Sequence, residues 1–343
     1  MLAADSHFPP CLSPAKENRQ GGFPLRRNPG SLGGFGTARP TALAAALMAS
    51  LALVPAARAA SPIEMKDDRG VAVRLESEPR RIVSLAPSLT EVVFLLGQEE
   101  KLVGVTRHCN YPPRAQAFPK IGGIADPDLE RIVAASPDLV LCTTDGNPRD
   151  KVRSLEEMGI PCFAVAPQDL EGIFATIERI GTLLGVPQLA SREANALRSR
   201  AANVARRMPG AAPNVLFVVS TSPIMAAGQG TFMDELVRLA GGRNAAAGFS
   251  GRYPRLSVED LVAARPDIIF IAAMAGVERF PPEVTRWKEI PAFRDGGVVS
   301  LDGDLVTRPG PRMVTALEEV SRALSDWRKR GAAVPAPGKR GTR

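Results

Sequence analysis

The chain says one thing twice. Residues 128–140 read DLERIVAASPDLV and residues 257–269 read SVEDLVAARPDII. At an offset of 129, six of the thirteen positions are identical: Glu130/Glu259, Val133/Val262, Ala134/Ala263, Ala135/Ala264, Pro137/Pro266 and Asp138/Asp267. Each copy joins an amphipathic stretch, a Pro-Asp break and an apolar run, which predicts helix, turn and strand. A looser echo pairs LTEVVFLLGQ (89–98) with MDELVRLAGG (233–242). A unit stated twice at this distance predicts two lobes built alike.

The rest of the chain fits that frame. Residues 62–79 alternate around Asp68-Arg69-Gly70 and predict a leading hairpin. Arg81–Leu85 is a β-branched run broken by Pro87, with Ser88 as the expected cap of a helix whose first turn holds Glu91. Strands at 101–106, 137–142 and 161–167 then alternate with helices, the pattern of a parallel sheet with helices on its faces. From 169 to 208 the strand signal stops. The second helix of that stretch, 188–208, is long and rich in Ala, Leu and Arg. After Pro209-Gly210 the β/α alternation resumes. The expected fold is therefore α/β: two lobes of parallel sheet flanked by helices, bridged by one long helix. The expected boundaries are an extension with a leader at 1–59, an N-terminal lobe at 60–187, the bridge at 188–208, a C-terminal lobe at 209–330 and a disordered basic tail at 331–343.

A formal charge of +7 invites a nucleic-acid reading until it is located. Residues 1–59 carry six basic and two acidic side chains, and 328–343 carry six basic and none acidic. The body between them is slightly acidic, so no nucleic-acid partner is expected. Arg39–Ala60 combines a basic flank, an apolar run from Ala42 to Val54 and a small-x-small site at Ala57-Arg58-Ala59. This predicts a secretory signal peptide cut near Ala59/Ala60, with a membrane anchor as the alternative. Cys109, Cys142 and Cys162 would then lie in an oxidising compartment. Cys109 and Cys142 both follow strands at one sheet edge, which makes 109–142 the pairing expected if a disulfide forms.

Several chemistries are missing. There is no GxGxxG, Walker A sequence, nucleophile elbow or Cys/His metal spacing. Outside the leader the one histidine is His108, so a secreted enzyme would have to use it; the pattern points instead to binding. HCNYPP follows a strand at the edge where such sheets hold ligands, which offers His108 and Tyr111. TTDGNPRD follows another strand there, offering Asp145 and Asn147, with ordinary turn chemistry as the alternative. Ser257 with Asp260 reads as a capping box and Asp128 as the matching cap. Glu130 and Glu259 then fall at the second helical position, off the apolar stripes Leu129, Ile132, Val133 and Val258, Leu261, Val262. They are either first-turn carboxylates worth about 0.3–1 kcal/mol or an exposed pair presented to a partner.

RIVSLAPSLTEVVFLLG, VGVTRHCNYPP and IGGIADPDLERIVAASPDLVL together resemble the substrate-binding proteins of ATP-driven importers for vitamin B12, ferric siderophores and haem, over about residues 62–327. The NYPP and DGNP loops lean towards the cobalamin-binding branch. The resemblance implies two Rossmann-like lobes joined by one rigid helix, here 188–208, in a periplasmic, monomeric protein without resident cofactor or catalysis, which holds a corrinoid between its lobes and docks on the permease dimer. A ferric siderophore or haem is the alternative ligand. It implies that Glu130 and Glu259 meet permease arginines. It assigns ligand contact to His108 where that branch has tyrosine, to Ile124 where it has tryptophan, and to Asp304, Leu305, Val306, Thr307 and Arg308. No metal site is implied beyond His108 as a possible axial ligand to cobalt or iron.

Overall fold

A computed structural model of the chain describes residues 62–206, 212–273, 280 and 285–333. The leader expected at 1–59 and residues 334–343 of the expected tail lie outside that set. Among the described residues, no helix is long and apolar enough to cross a membrane.

The chain opens with the expected antiparallel hairpin, β1 (Ile63–Lys66) and β2 (Ala72–Leu75). The N-terminal lobe follows as β3 (Ile82–Ser84), α1 (Pro87–Leu95), β4 (Leu102–Val105), α2 (Leu129–Ala134), β5 (Leu139–Thr143), α3 (Arg149–Glu157), β6 (Cys162–Val165) and α4 (Leu170–Leu183). Helix α5 (Pro187–Arg206) is the bridge; residues 207–208 of its expected span are outside the described set. The C-terminal lobe holds β7 (Asn214–Thr221), β8 (Ile224–Ala226), α6 (Phe232–Leu239), β9 (Arg243–Asn244), α7 (Val258–Ala264), β10 (Ile268–Ala273), α8 (Pro291–Arg294), β11 (Val298–Asp302), α9 (Gly303–Thr307) and α10 (Met313–Ala333).

The two sheets share one topology. The first runs β4-β3-β5-β6 and the second β9-β7-β10-β11, all neighbours parallel. Counting parallel strands only, in each lobe the second pairs with the first and the third lies on its other side. The C-terminal lobe adds β8, antiparallel to β7, which the sequence did not signal. The hairpin covers the β6 edge: Ala166 N–H donates to Asp68 at 2.6 Å and Asp68 N–H to the Ala164 carbonyl at 3.0 Å. An unpaired strand edge is thereby removed.

The doubled unit has a backbone cause. Ser136 and Arg265, equivalent in the repeat, both take left-handed conformations with φ of 46°. Each turns the chain from its helix into Pro-Asp. Asp138 then accepts from the backbone N–H groups of Arg80 (2.7 Å) and Arg81 (2.9 Å) at the start of β3. Asp267 accepts from Asn214 N–H at 2.8 Å at the start of β7. The repeated aspartate therefore anchors the start of β5 to that of β3 in one lobe and the start of β10 to that of β7 in the other. The helices of the unit are short, and only Ile132 and Leu261 of their predicted stripes are fully buried; Val133 is exposed.

Bridge helix α5 spans about 30 Å at 1.5 Å per residue, and side chains of its C-terminal half tie it to a helix of each lobe. Arg198 pairs with Glu171 (2.6 Å) and Glu178 (2.8 Å) of α4, whereas Arg200 pairs with Glu318 (2.9 Å) of α10. A Cβ on Gly181 would fall 2.1 Å from that of Ala190, so α4 and α5 approach as closely as glycine allows. One continuous apolar core runs from Val73 through α4 and α5 to Leu324 and includes buried residues of both lobes. The lobes consequently share a core instead of hanging on a flexible hinge.

Asp138→Ala and Asp267→Ala should each lower stability by about 1 kcal/mol, because each deletes charge-assisted bonds to strand-initiating amides. Urea unfolding checks this. No shift in midpoint for either variant would mean that the repeat is not held by these carboxylates.

Candidate functional site

Parallel sheets present ligands at the carboxyl ends of their strands. Here those ends, from β3, β4, β5 and β6 on one side and from β11 on the other, enclose a cavity of about 400 Å³. Its wall is mostly apolar: Ala86, Pro87, Ile124, Val165, Pro167 and Pro309, with Phe232 at the start of α6. The polar side chains that reach it are Ser88, His108, Thr143, Asp145, Asp304, Thr307 and Arg308. Of the ten ligand-binding residues expected from the sequence, His108, Ile124, Asp145, Asp304, Thr307 and Arg308 line the cavity; Tyr111, Asn147, Leu305 and Val306 do not.

The four exceptions have physical reasons. In α9 the residues three and four apart share a face, so Asp304, Thr307 and Arg308 look into the cavity. Leu305 and Val306 turn into the core, where both are buried. Asn147 is also buried, and its amide is fully used. It accepts from Thr143 N–H at 2.8 Å and donates to the carbonyls of Leu85 (3.1 Å) and Ile124 (2.9 Å). It ties together the loops after β3, β4 and β5 and contacts no ligand space. Tyr111 is half exposed and lies over the Arg312 guanidinium, 4.1 Å from ring centroid to carbon.

His108 is exposed at the cavity, and only its backbone N–H is held, by the Thr106 hydroxyl at 3.3 Å. Among the described residues its imidazole has no hydrogen-bond partner, which leaves both ring nitrogens to a ligand. The loop root is pinned by Cys109, buried between the hydroxyls of Thr90 (3.2 Å) and Thr106 (3.1 Å). The Cys109–Cys142 pairing, expected only if a disulfide forms, is not made: all three described cysteines are free thiols. Residues along β5 alternate between faces, so Cys142 packs on the face opposite Cys109. Burial pushes the Cys142 thiol up to about 12, far from reactivity. No group of three His, Cys, Asp or Glu side chains among the described residues is arranged to hold a metal ion.

Sequence reasoning missed the contact across the cleft. Pro87 does not simply break β3: it occupies the first helical position of α1 behind Ala86, and Ser88 lies inside the helix rather than capping it. Glu91 is therefore carried inward, not out to solvent. Its carboxylate is buried and accepts two bonds from Arg312 at the start of α10, at 2.8 and 3.0 Å. Burial pushes the Glu91 carboxyl up, and Arg312 pulls it down. Arg308 stands 3.9 Å from the same carboxylate and pairs with Asp304 at 2.7 Å. Asn110 closes the chain by donating to Asp304 (2.8 Å) and accepting from Arg308 (2.7 Å). Gly310 makes the approach possible, since a Cβ there would lie 3.0 Å from that of Ser88. The signal was available: a lone Glu in the apolar run LTEVVFLL, and Arg308 and Arg312 four apart around a glycine.

Glu130 and Glu259 occupy the second position of α2 and α7, behind the caps Asp128 and Ser257, the latter a full capping box with Asp260. Helices that lead into parallel strands begin at the carboxyl edge of the sheet, so both glutamates are exposed on the cleft edge of their lobes. Among the described residues Glu130 makes no ion pair, whereas Glu259 accepts from Arg286 at 2.9 Å.

The chain matches the periplasmic binding protein family over residues 82–305. It is 30% identical over 253 residues to the vitamin B12-binding protein of Photorhabdus laumondii, covering 74% of this chain and 90% of that one. Among solved structures, the vitamin B12 binding protein BtuF of Vibrio cholerae superposes with a TM-score of 0.66 at 27% identity, over 74% of this chain and 99% of that one. The periplasmic haem-binding protein RhuT of Roseiflexus superposes with a TM-score of 0.64 at 29% identity, over 72% and 98%.

Asn147→Ala should cost about 2–4 kcal/mol by leaving two buried carbonyls and one amide unpaired. Thermal unfolding measures it. A cost below about 0.5 kcal/mol would show that the three loops do not depend on this side chain.

Proposed function

The chain belongs to the periplasmic binding protein family, and from that membership we propose that it captures a corrinoid between its lobes and hands it to the permease of an ATP-driven importer. The charge balance of the cavity carries the reading. Among the described residues Arg308 is the cation in its wall, and it is already matched by Asp304 at 2.7 Å and Glu91 at 3.9 Å. An anionic ferric siderophore or the propionates of haem would meet no unpaired cation there, and desolvating them without one is costly. A corrinoid is fringed with neutral amides. Asp145, Thr143, Thr307 and the free His108 imidazole offer acceptors and donors of the kind amides need. At about 400 Å³ the cavity lies low in the range of ligand pockets, roughly 300–1,000 Å³. A macrocycle would enter it edge first and keep part of its rim in solvent.

The ligand is cargo, and no bond is made or broken. Haem is the second reading, because an imidazole without a protein partner is a competent axial ligand. Glu130 and Glu259, one on each lobe at the cleft edge, are the proposed contacts with permease arginines. The chain would work in the periplasm after removal of its leader, as a monomer.

Calorimetric titration of the mature protein with cyanocobalamin, haem and a ferric siderophore separates the ligands. One-to-one binding of cyanocobalamin is expected, with His108→Ala weakening it several-fold. No heat with cyanocobalamin at tens of micromolar would exclude the corrinoid. Reversing both Glu130 and Glu259 to Lys should leave that binding intact and stop uptake in cells. Unchanged uptake would return them to first-turn carboxylates.

A further inference from the structure

Six side chains close one side of the cleft, three from each lobe, and they form an ordered row. Tyr111 covers Arg312, Arg312 grips Glu91, Glu91 faces Arg308, and Arg308 is shared by Asp304 and Asn110. Two carboxylates alternate with two guanidinium groups, so the row is neutral. Only its last members, Asp304 and Arg308, line the cavity.

We propose that Arg312, which does not touch the cavity, fixes the charge presented to the ligand by keeping Glu91 occupied, so that Arg308 remains on Asp304. The inference rests on the cleft being the ligand site. Its physical basis is competition between two acids for one guanidinium. Glu91 is almost fully buried, whereas the Asp304 side chain is about one-third exposed and has water as an alternative partner. A buried carboxylate left without Arg312 is the more costly of the two to strand. Arg308 has its terminal nitrogen 3.9 Å from Glu91 and needs only a side-chain rotation to reach it. Asp304 would then face the cavity held by Asn110 alone, and the wall would gain one negative charge. Removing Glu91 instead leaves Arg312 unmatched behind the wall and shifts it the other way. Removing both restores neutrality with Arg308 on Asp304. Arg312 is thus a positioning residue, and specificity for a neutral or a charged ligand is set one layer behind the surface that the ligand meets.

Arg312→Gln, Glu91→Gln and the double variant test this in the mature full chain. Ligand-free crystal structures should show Arg308 turned onto Glu91 in Arg312→Gln and back on Asp304 in the double variant. The binding readout is the affinity ratio of aquocobalamin, cationic at mildly acidic pH, to neutral cyanocobalamin. The ratio should rise about tenfold in Arg312→Gln, fall in Glu91→Gln and return to the parental value in the double variant, as expected for one charge at short range in a partly buried site. A structural clasp alone would weaken both probes equally. Arg308 still on Asp304 in Arg312→Gln, or a ratio that the double variant does not restore, overturns the proposal. If Arg312→Gln does not fold, the opposite shift in Glu91→Gln decides it, and no shift there overturns it. Should the parental protein bind neither corrinoid, the ligand assignment fails while the ligand-free structures still judge the rotation of Arg308.

Discussion

The buried pair of Glu91 and Arg312 is the contact on which the cleft depends. It joins the first helix of one lobe to the last helix of the other, and its carboxylate is almost wholly removed from water. Charges so placed are tolerated only when matched, and removing one partner of such a pair typically costs about 3–5 kcal/mol. The pair therefore fixes more than its own atoms. It brings Gly310 against Ser88 and Arg308 within 3.9 Å of Glu91, sets Asp304 opposite Asn110 and leaves the strand ends of both sheets facing one space.

That contact works because the lobes are already nearly fixed. Bridge helix α5 is anchored by Arg198 to α4 and by Arg200 to α10, and a single apolar core runs through all three helices. Proteins that close on ligands by hinge motion use a few loop residues to absorb large dihedral changes. Here a long helix stands in that place. The cleft is preformed, so the proposed recognition would rest on the chemistry of its wall.

How much of this was legible depended on distance along the chain. The doubled unit announced two α/β lobes, and its Pro-Asp now has a cause in Ser136 and Arg265, with Asp138 and Asp267 behind them. Strand-following loops placed His108 and Asp145 at the cleft, because the edge of a parallel sheet is a local rule; the 304–308 segment came from the family resemblance alone. Periodicity within α9 would have excluded Leu305 and Val306, had that stretch been read as a helix. What remained hidden was long-range. Glu91 looked like a first-turn carboxylate because nothing near it in sequence names Arg312, 221 residues away. Asn147 looked available to a ligand because its three backbone partners belong to loops that meet only in the fold. The cysteines looked close because both follow strands, while the faces they occupy are set by packing.

A distance across the lobes tests the preformed cleft most directly. The described native cysteines are buried, so spin labels at Met158→Cys and Tyr253→Cys, both exposed and on opposite lobes, would report lobe separation by pulsed electron resonance. One narrow distribution, unchanged to within about 2 Å when ligand is added, is the predicted result. A second, wider population that collapses on binding would contradict it and make this a hinge-closing protein.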